Sequence, residues 1–247
     1  MSQYSMDHLP PIPPEEPSVQ QTFEPSQLYL TLAFLQMGLG LVITAATAFA
    51  FLILGGTNYL MAHPMISLML LVAQLGIAMA FGIQMQKASA ATLRTMFFAY
   101  AVLTGVTFSS LGVVYTGSTL FYAFLISAVF YFCLAFVGLT TKRNLNSLGL
   151  ICLVGLLVLL ISSLVLALFG APMSIILYSS IGLILFTGIT CWDVQRMKTI
   201  MAQVESDEPT RQKWTVYFAL ELYLDFINIF LYVLRLFAAG SGSNSRR

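Results

Sequence analysis

Seven stretches of this chain are each apolar over about 20 residues, the length an α-helix needs to cross the hydrocarbon core of a bilayer. They run Leu28–Leu54, Pro64–Gln86, Thr92–Tyr115, Ser118–Leu139, Leu148–Phe169, Pro172–Trp192 and Trp214–Phe237. With 58% hydrophobic and 9% charged residues, the chain carries more apolar surface than a soluble domain can hide. Its solvent is therefore lipid, where every backbone group must be satisfied within the segment. The expected fold is an all-α, polytopic bundle of seven transmembrane helices. A formal net charge of +1, with no block of like charge, excludes a nucleic-acid surface.

The breaks between spans are legible. Gly55-Gly56-Thr57-Asn58 and His63-Pro64 frame the first loop, Thr116-Gly117 forms a tight third, and Gly170-Ala171-Pro172 the fifth. Pro172 falls in the first turn of the sixth span, where proline is tolerated. Arg196 to Lys213 reads as the one long polar loop. Residues 1–27 hold six prolines, four acids and no Lys or Arg, which lacks the basic start and short apolar core of a secretory signal. They read as a disordered Pro-rich cytosolic tail, residues 28–238 as the transmembrane domain, and residues 239–247 as a short flexible tail. A Pro-rich leader of this kind can also dock onto SH3-like or WW-like grooves.

Basic residues set the orientation. Lys87, Arg94, Lys142, Arg143, Arg196, Lys198, Arg211 and Lys213 all fall at the second, fourth and sixth loops. The first, third and fifth loops carry no Lys or Arg, so the N-terminus is expected in the cytosol. Seven full crossings put the C-terminal tail outside; a re-entrant seventh helix would return it, with Arg246 and Arg247, to the cytosol. The short tail and the absence of a Lys-rich C-terminus point to a bacterial inner membrane. Small residues such as Gly38, Gly40, Ala45 and Ala48 crowd the first span and favour close helix packing. Cys133, Cys152 and Cys191 lie in apolar runs without metal-ligand spacing and read as small core residues.

Ionisable groups inside spans are costly and point to function. Asp193 ends the sixth span; Glu221, Asp225 and Arg235 lie in the seventh. At 100° per residue, Trp214, Tyr217, Glu221, Asp225, Asn228, Tyr232 and Arg235 fall within an arc of about 80°, opposite an apolar face. One alternative is a polar seam that only hydrogen-bonds neighbouring helices; three charges on one stripe favour an ion or proton site. Arg235 lies about 15 Å along the axis from Asp225, too far to pair with it. A hard cation such as calcium takes oxygen ligands, which Asp193, Glu221, Asp225, Asn228 and backbone carbonyls can supply. Two carboxylates facing each other in a low-dielectric site share a proton and become a pH sensor.

The run Thr187-Gly188-Ile189-Thr190-Cys191-Trp192-Asp193-Val194-Gln195-Arg196-Met197-Lys198 resembles a signature of the Bax inhibitor-1 family, also called the transmembrane Bax inhibitor motif family. So does Ala219-Leu220-Glu221-Leu222-Tyr223-Leu224-Asp225-Phe226-Ile227-Asn228-Ile229-Phe230-Leu231. Weaker echoes are Gly105-Val106-Thr107-Phe108-Ser109 and Thr140-Thr141-Lys142-Arg143-Asn144-Leu145, and the likeness spans nearly all of the chain after residue 27. The resemblance implies a bacterial family member with the seventh helix central and a calcium leak gated by pH. It also implies a di-aspartyl pair that breaks and re-forms, which falls on Asp193 and Asp225. Calcium is then a permeant or bound ion, and no cofactor is implied.

Three departures from the family pattern stand out. Glu221 adds a third carboxylate. Where some members of the family carry a latching arginine at the cytosolic end of the second span, this chain has Gln84-Met85-Gln86-Lys87, so the latch is weaker or Lys87 supplies it. On straight helices Asp225 sits about 13 Å shallower than Asp193, so either the seventh helix is displaced or Glu221 is the closer neighbour.

No enzyme is expected. The Gly-x-Gly-Asp and Pro-Ala-Leu elements of an intramembrane aspartyl protease are missing, and His8 and His63, in tail and loop, cannot serve a rhomboid dyad. The last span carries no Lys for retinal. The rival reading is a non-conducting stress-survival regulator that binds other membrane proteins through its tail or its Arg196–Lys213 loop.

Overall fold

The structure is a computed structural model that describes residues 25–170, 174–204 and 207–244. Residues 1–24 of the expected N-terminal tail and Pro172 lie outside them, whereas Pro25, Ser26 and Gln27 of that tail already belong to the first helix. Within them the chain is helical, in the order α1 (Pro25–Ile53), α2 (Gly56–Ala62), α3 (Pro64–Gln84), α4 (Ala90–Phe108), α5 (Leu111–Val114), α6 (Gly117–Thr140), α7 (Asn146–Leu168), α8 (Ile175–Gln203) and α9 (Glu208–Asn244). Seven helical segments are long and apolar enough to cross a membrane, with α4 and α5 together forming one of them. The first loop holds a helix of its own, the short α2.

Side-chain caps start the spans where the sequence placed its breaks. Ser89, Thr116 and Ser174 accept hydrogen bonds from the backbone N–H groups of Thr92, Thr119 and Leu177. Gly55 and Gly170 adopt positive φ, at 76° and 63°, where chain direction changes after α1 and α7. The third span is not continuous. Ser109 Oγ and Ser110 Oγ donate to the carbonyls of Val106 and Thr107, each at 2.7 Å, and divert the chain between α4 and α5.

The sixth loop is far shorter than the sequence suggests. Residues 196–203 continue α8, and α9 begins at Glu208, leaving 204–207 between them. Nothing from Arg196 to Gln203 breaks a helix: the run contains neither Gly nor Pro. Pro209 sits in the first turn of α9, where its missing N–H costs nothing. Polarity in this stretch marks where the helices leave the hydrocarbon, not where they end.

Burial differs sharply among the spans. Half of the α9 span is buried, against 11% for α3 and for α7. α9 packs against α1, α4, α6 and α8; α8 packs also against α6 and α7, and α3 chiefly against α4. The outer faces carry exposed Leu35, Phe49, Met79, Phe132, Ile151 and Leu164, as lipid permits. Cys152 and Cys191 are buried, but Cys133 is exposed on α6, so it is not the core residue its apolar context suggested.

Two glycines let helices meet backbone to backbone. A Cβ on Gly105 would meet the Thr44 carbonyl oxygen at 2.6 Å, and one on Gly138 the Cys191 carbonyl oxygen at 2.7 Å. Beside the first contact, Thr44 Oγ donates to the carbonyls of Gly40 and Ala101, each at 3.0 Å, and lies 2.6 Å from the Tyr223 hydroxyl. This buried junction ties α1, α4 and α9 together. Thr44→Val is expected to cost about 1 kcal/mol, the usual scale for such bonds in membranes. Thermal unfolding in detergent reads it, and a midpoint equal to that of wild type would show the junction to be idle.

Candidate carboxylate site between the last two helices

The extra length of α8 and α9 brings their charges together. α8 and α9 pack antiparallel: Tyr232 abuts Gly182 near one end, and Arg196 meets Tyr217 and Glu221 near the other. This register sets Asp193 level with Glu221. Asp225 lies about one turn, roughly 5 Å, further along the contact, beside Thr190. The offset of about 13 Å counted from the outer ends of straight helices is therefore cut to about one turn, because hydropathy does not mark those ends: α9 runs seven residues past Phe237, to Asn244.

Arg196 is the pivot. Its Nη2 lies 3.2 Å from Glu221 Oε1 and donates to the Tyr217 hydroxyl at 3.3 Å, while Nη1 is 3.7 Å from Asp193 Oδ1. The guanidinium also sits over the rings of Trp192, Tyr217 and Phe218, with centroids 5.4–5.8 Å away. Arginine suits this place because its planar, weakly hydrated cation can pair and stack at once.

Two carboxylates thus share one guanidinium, and a third, Asp225, lies about one turn away without a cation of its own among the described residues. Asp193 and Asp225 are 7% and 4% exposed. Among the described residues, Asp225 Oδ2, Glu221 Oε2, Thr190 Oγ1 and the Tyr131 hydroxyl are buried and meet no partner at hydrogen-bonding geometry. Tyr131, fully buried on α6, feels the charges of both Asp225 and Asp193. A buried anion with unsatisfied oxygens is costly.

The rest of the polar stripe is placed elsewhere. Asn228 Nδ2 donates to its own helix, at the Leu224 carbonyl, 2.8 Å away. Tyr232 is buried against Tyr178 and Phe186, and Arg235 lies over the Tyr232 ring at 5.8 Å. Arg235 faces a cavity with Tyr115, Ser163, Ile175 and Tyr178, away from the carboxylates. Gln84 and Lys87 are both exposed, and neither side chain makes a hydrogen bond or ion pair among the described residues. The cation next to the carboxylates is Arg196. Among the described residues no group of three or more His, Cys, Asp or Glu is arranged to hold a metal ion. Asp193 and Glu221 contact Arg196, whereas Asp225 lies a turn away beside Thr190, so the three acids do not converge on a common centre.

Arg196, Thr190 and Tyr131 were not singled out as site residues by sequence reasoning. Arg196 stands three residues after Asp193, the spacing of helical neighbours. Hydropathy hides the signal, because it ends the span at Trp192 and leaves Arg196 among the loop charges, whereas α8 continues to Gln203. Tyr131 and Thr190 carry no charge, and nothing in the order of residues aims them at the acids.

A family model described as "Inhibitor of apoptosis-promoting Bax1" matches residues 26–242. The inner membrane protein YbhL of Escherichia coli K12 is 31% identical over 226 residues, covering 91% of this chain and 97% of its own. An uncharacterised protein of Rickettsia prowazekii is 31% identical over 219 residues, 88% of this chain and 92% of its own. One of Borreliella burgdorferi is 33% identical over 212 residues, 84% of this chain and 90% of its own.

Proposed function

This chain belongs to the Bax inhibitor-1 family, and on that footing we propose that it is an inner-membrane calcium leak gated by pH through Asp193, Asp225 and Glu221. The observation that carries the reading is the imbalance at Arg196: one guanidinium serves Glu221 at 3.2 Å and Asp193 at 3.7 Å, and Asp225 keeps a buried oxygen without a partner among the described residues. A low-dielectric cluster of that composition stays closed while a proton is shared among its acids. Losing the proton adds an anion that Arg196 cannot also hold, and α8 and α9 then have reason to part. The oxygens released are hard ligands suited to a calcium ion in transit. The protein is a conduit and not an enzyme in this reading. Its N-terminus and basic turns lie in the cytosol, and its C-terminus outside.

Calcium flux into proteoliposomes between pH 5 and 8 tests the proposal. Wild type should show a flux that varies with pH. Asp225→Asn, fixed in the neutral form, should flatten that profile, and Asp193→Asn should displace it. Glu221→Gln shows whether the third acid belongs to the sensor or only anchors Arg196. Absence of flux above empty liposomes, from folded protein, would overturn the channel and leave the regulator that acts by binding other membrane proteins.

A further inference from the structure

Asp193 and Arg196 of α8 meet α9, but Lys198, further along the same helix, faces a separate cavity. This cavity, about 610 Å³, opens between the α6–α7 turn and the last turns of α8. Lys142, Arg143 and Lys198 line it with Asn144, Thr199 and Gln203, and Arg196 closes its inner wall. No described residue that lines it is acidic. We propose that it is a binding site for the phosphate headgroup of an anionic phospholipid.

The site is built rather than incidental. Gln195 clamps the turn from both sides: its Nε2 donates to the Arg143 carbonyl at 2.7 Å, and its Oε1 accepts from Leu145 N at 2.9 Å. Asn144 Oδ1 accepts from Asn146 N, and Asn146 Oδ1 accepts from Trp192 Nε1 at 3.0 Å. Lys198 Nζ donates to the Leu139 carbonyl in the last turn of α6, at 2.9 Å, which fixes its charge at the cavity edge. The Lys142 and Arg143 side chains have no hydrogen-bond or ion-pair partner among the described residues. Membrane topology needs basic residues near this surface. It does not need three of them held around one concavity without a counter-charge. Such an arrangement raises the local potential and is relieved by an anion with several oxygens.

Depth selects the source of that anion. The cavity lies where α6 ends at Thr140 and α7 begins at Asn146, the level of lipid headgroups. The Trp192 indole sits at the same level, as interfacial aromatics do. Just inside it, Val137, Leu148 and Ile151 are exposed and apolar, a surface for acyl chains. A lipid satisfies both surfaces at once, and a soluble phosphate only one. Because Arg196 also forms the inner wall, a bound phosphate draws on the guanidinium that holds Glu221 and Asp193. That consequence rests on the leak reading; the binding itself does not.

Trp192 provides a reporter. The full chain carrying Trp214→Phe is reconstituted in phosphatidylcholine vesicles containing a small fraction of brominated phosphatidylglycerol or brominated phosphatidylcholine. The brominated anionic lipid is expected to quench Trp192 more strongly. Neutralising each cation, in Lys142→Gln, Arg143→Gln and Lys198→Gln, should cut the preference about five-fold per residue. Lys142→Gln, which removes no hydrogen bond or ion pair among the described residues, is the variant to read if the Lys198→Gln protein misfolds. Equal quenching by the two lipids would overturn the proposal, as would a preference that survives the substitutions in folded protein. Full reversal by millimolar inorganic phosphate at constant ionic strength would also overturn it, by assigning the site to a soluble anion.

Discussion

Arg196→Gln should destabilise this protein by about 3 kcal/mol, at the low end for breaking a buried ion pair because both partners keep some exposure. The side chains of Arg196 and Glu221 are 26% and 19% exposed, so water offsets part of the loss. Glutamine keeps a stem of similar length but cannot neutralise Glu221, support Asp193 and stack on Trp192 together. The deficit relative to wild type should grow as pH rises, since every acid that ionises is then unpaired. It should shrink in acid, where the carboxylates are neutral in both proteins. Thermal unfolding in detergent at pH 5 and pH 8 reads this directly. Glu221→Gln in the Arg196→Gln background should recover much of the loss, because the stranded anion is gone; the cycle of four proteins isolates a coupling of about 1–3 kcal/mol. If Arg196→Gln melts like wild type at both pH values, the guanidinium does not hold the acids and the gate described above has no latch.

Gly138→Ala should be nearly as damaging for a different reason. The new methyl group would fall 2.7 Å from the Cys191 carbonyl oxygen and 2.9 Å from Val194 Cβ. Neither is the free end of a side chain, so α6 and α8 must separate, at a cost of about 2–3 kcal/mol. Gly82→Ala is the control: nothing lies within 4 Å of its added Cβ, and the helix gains a better former. The two variants should therefore shift the unfolding midpoint in opposite directions, or only Gly138→Ala should shift it. Cys191 and Val194 flank Asp193, so the displaced helix should also change the pH profile of flux. Equal midpoints for the two variants would mean that the α6–α8 contact is looser than described.

The membrane class and the number of spans follow from residue type alone, because lipid permits so few solutions for an apolar backbone of this length. Hydropathy bounds five of the seven spans to within about three residues, close to the usual fraying of helix ends. The last two were not. Hydropathy marks where a helix leaves lipid, whereas the α8 and α9 helices continue through Lys198 and Lys213 into the polar layer. The same difference hid Arg196, whose role needs the helix to continue past Asp193.

Asp193, Glu221 and Asp225 were legible one by one, since an acid in a span is improbable without a use. Which of them share a cation was not. That depends on the register of α8 against α9, set by contacts such as Tyr232 on Gly182, and register leaves no trace in either helix taken alone. The cavity formed by Lys142, Arg143 and Lys198 is a second case: their charges gave the orientation signal, but their convergence requires Gln195 to clamp a turn fifty residues away. The sequence by itself determined which residues lie in the bilayer and which of them are too polar to be there idly, because both are properties of residue type and spacing. Only the tertiary structure decided how those polar groups meet, because pairing is a property of distances between helices that the chain order does not encode.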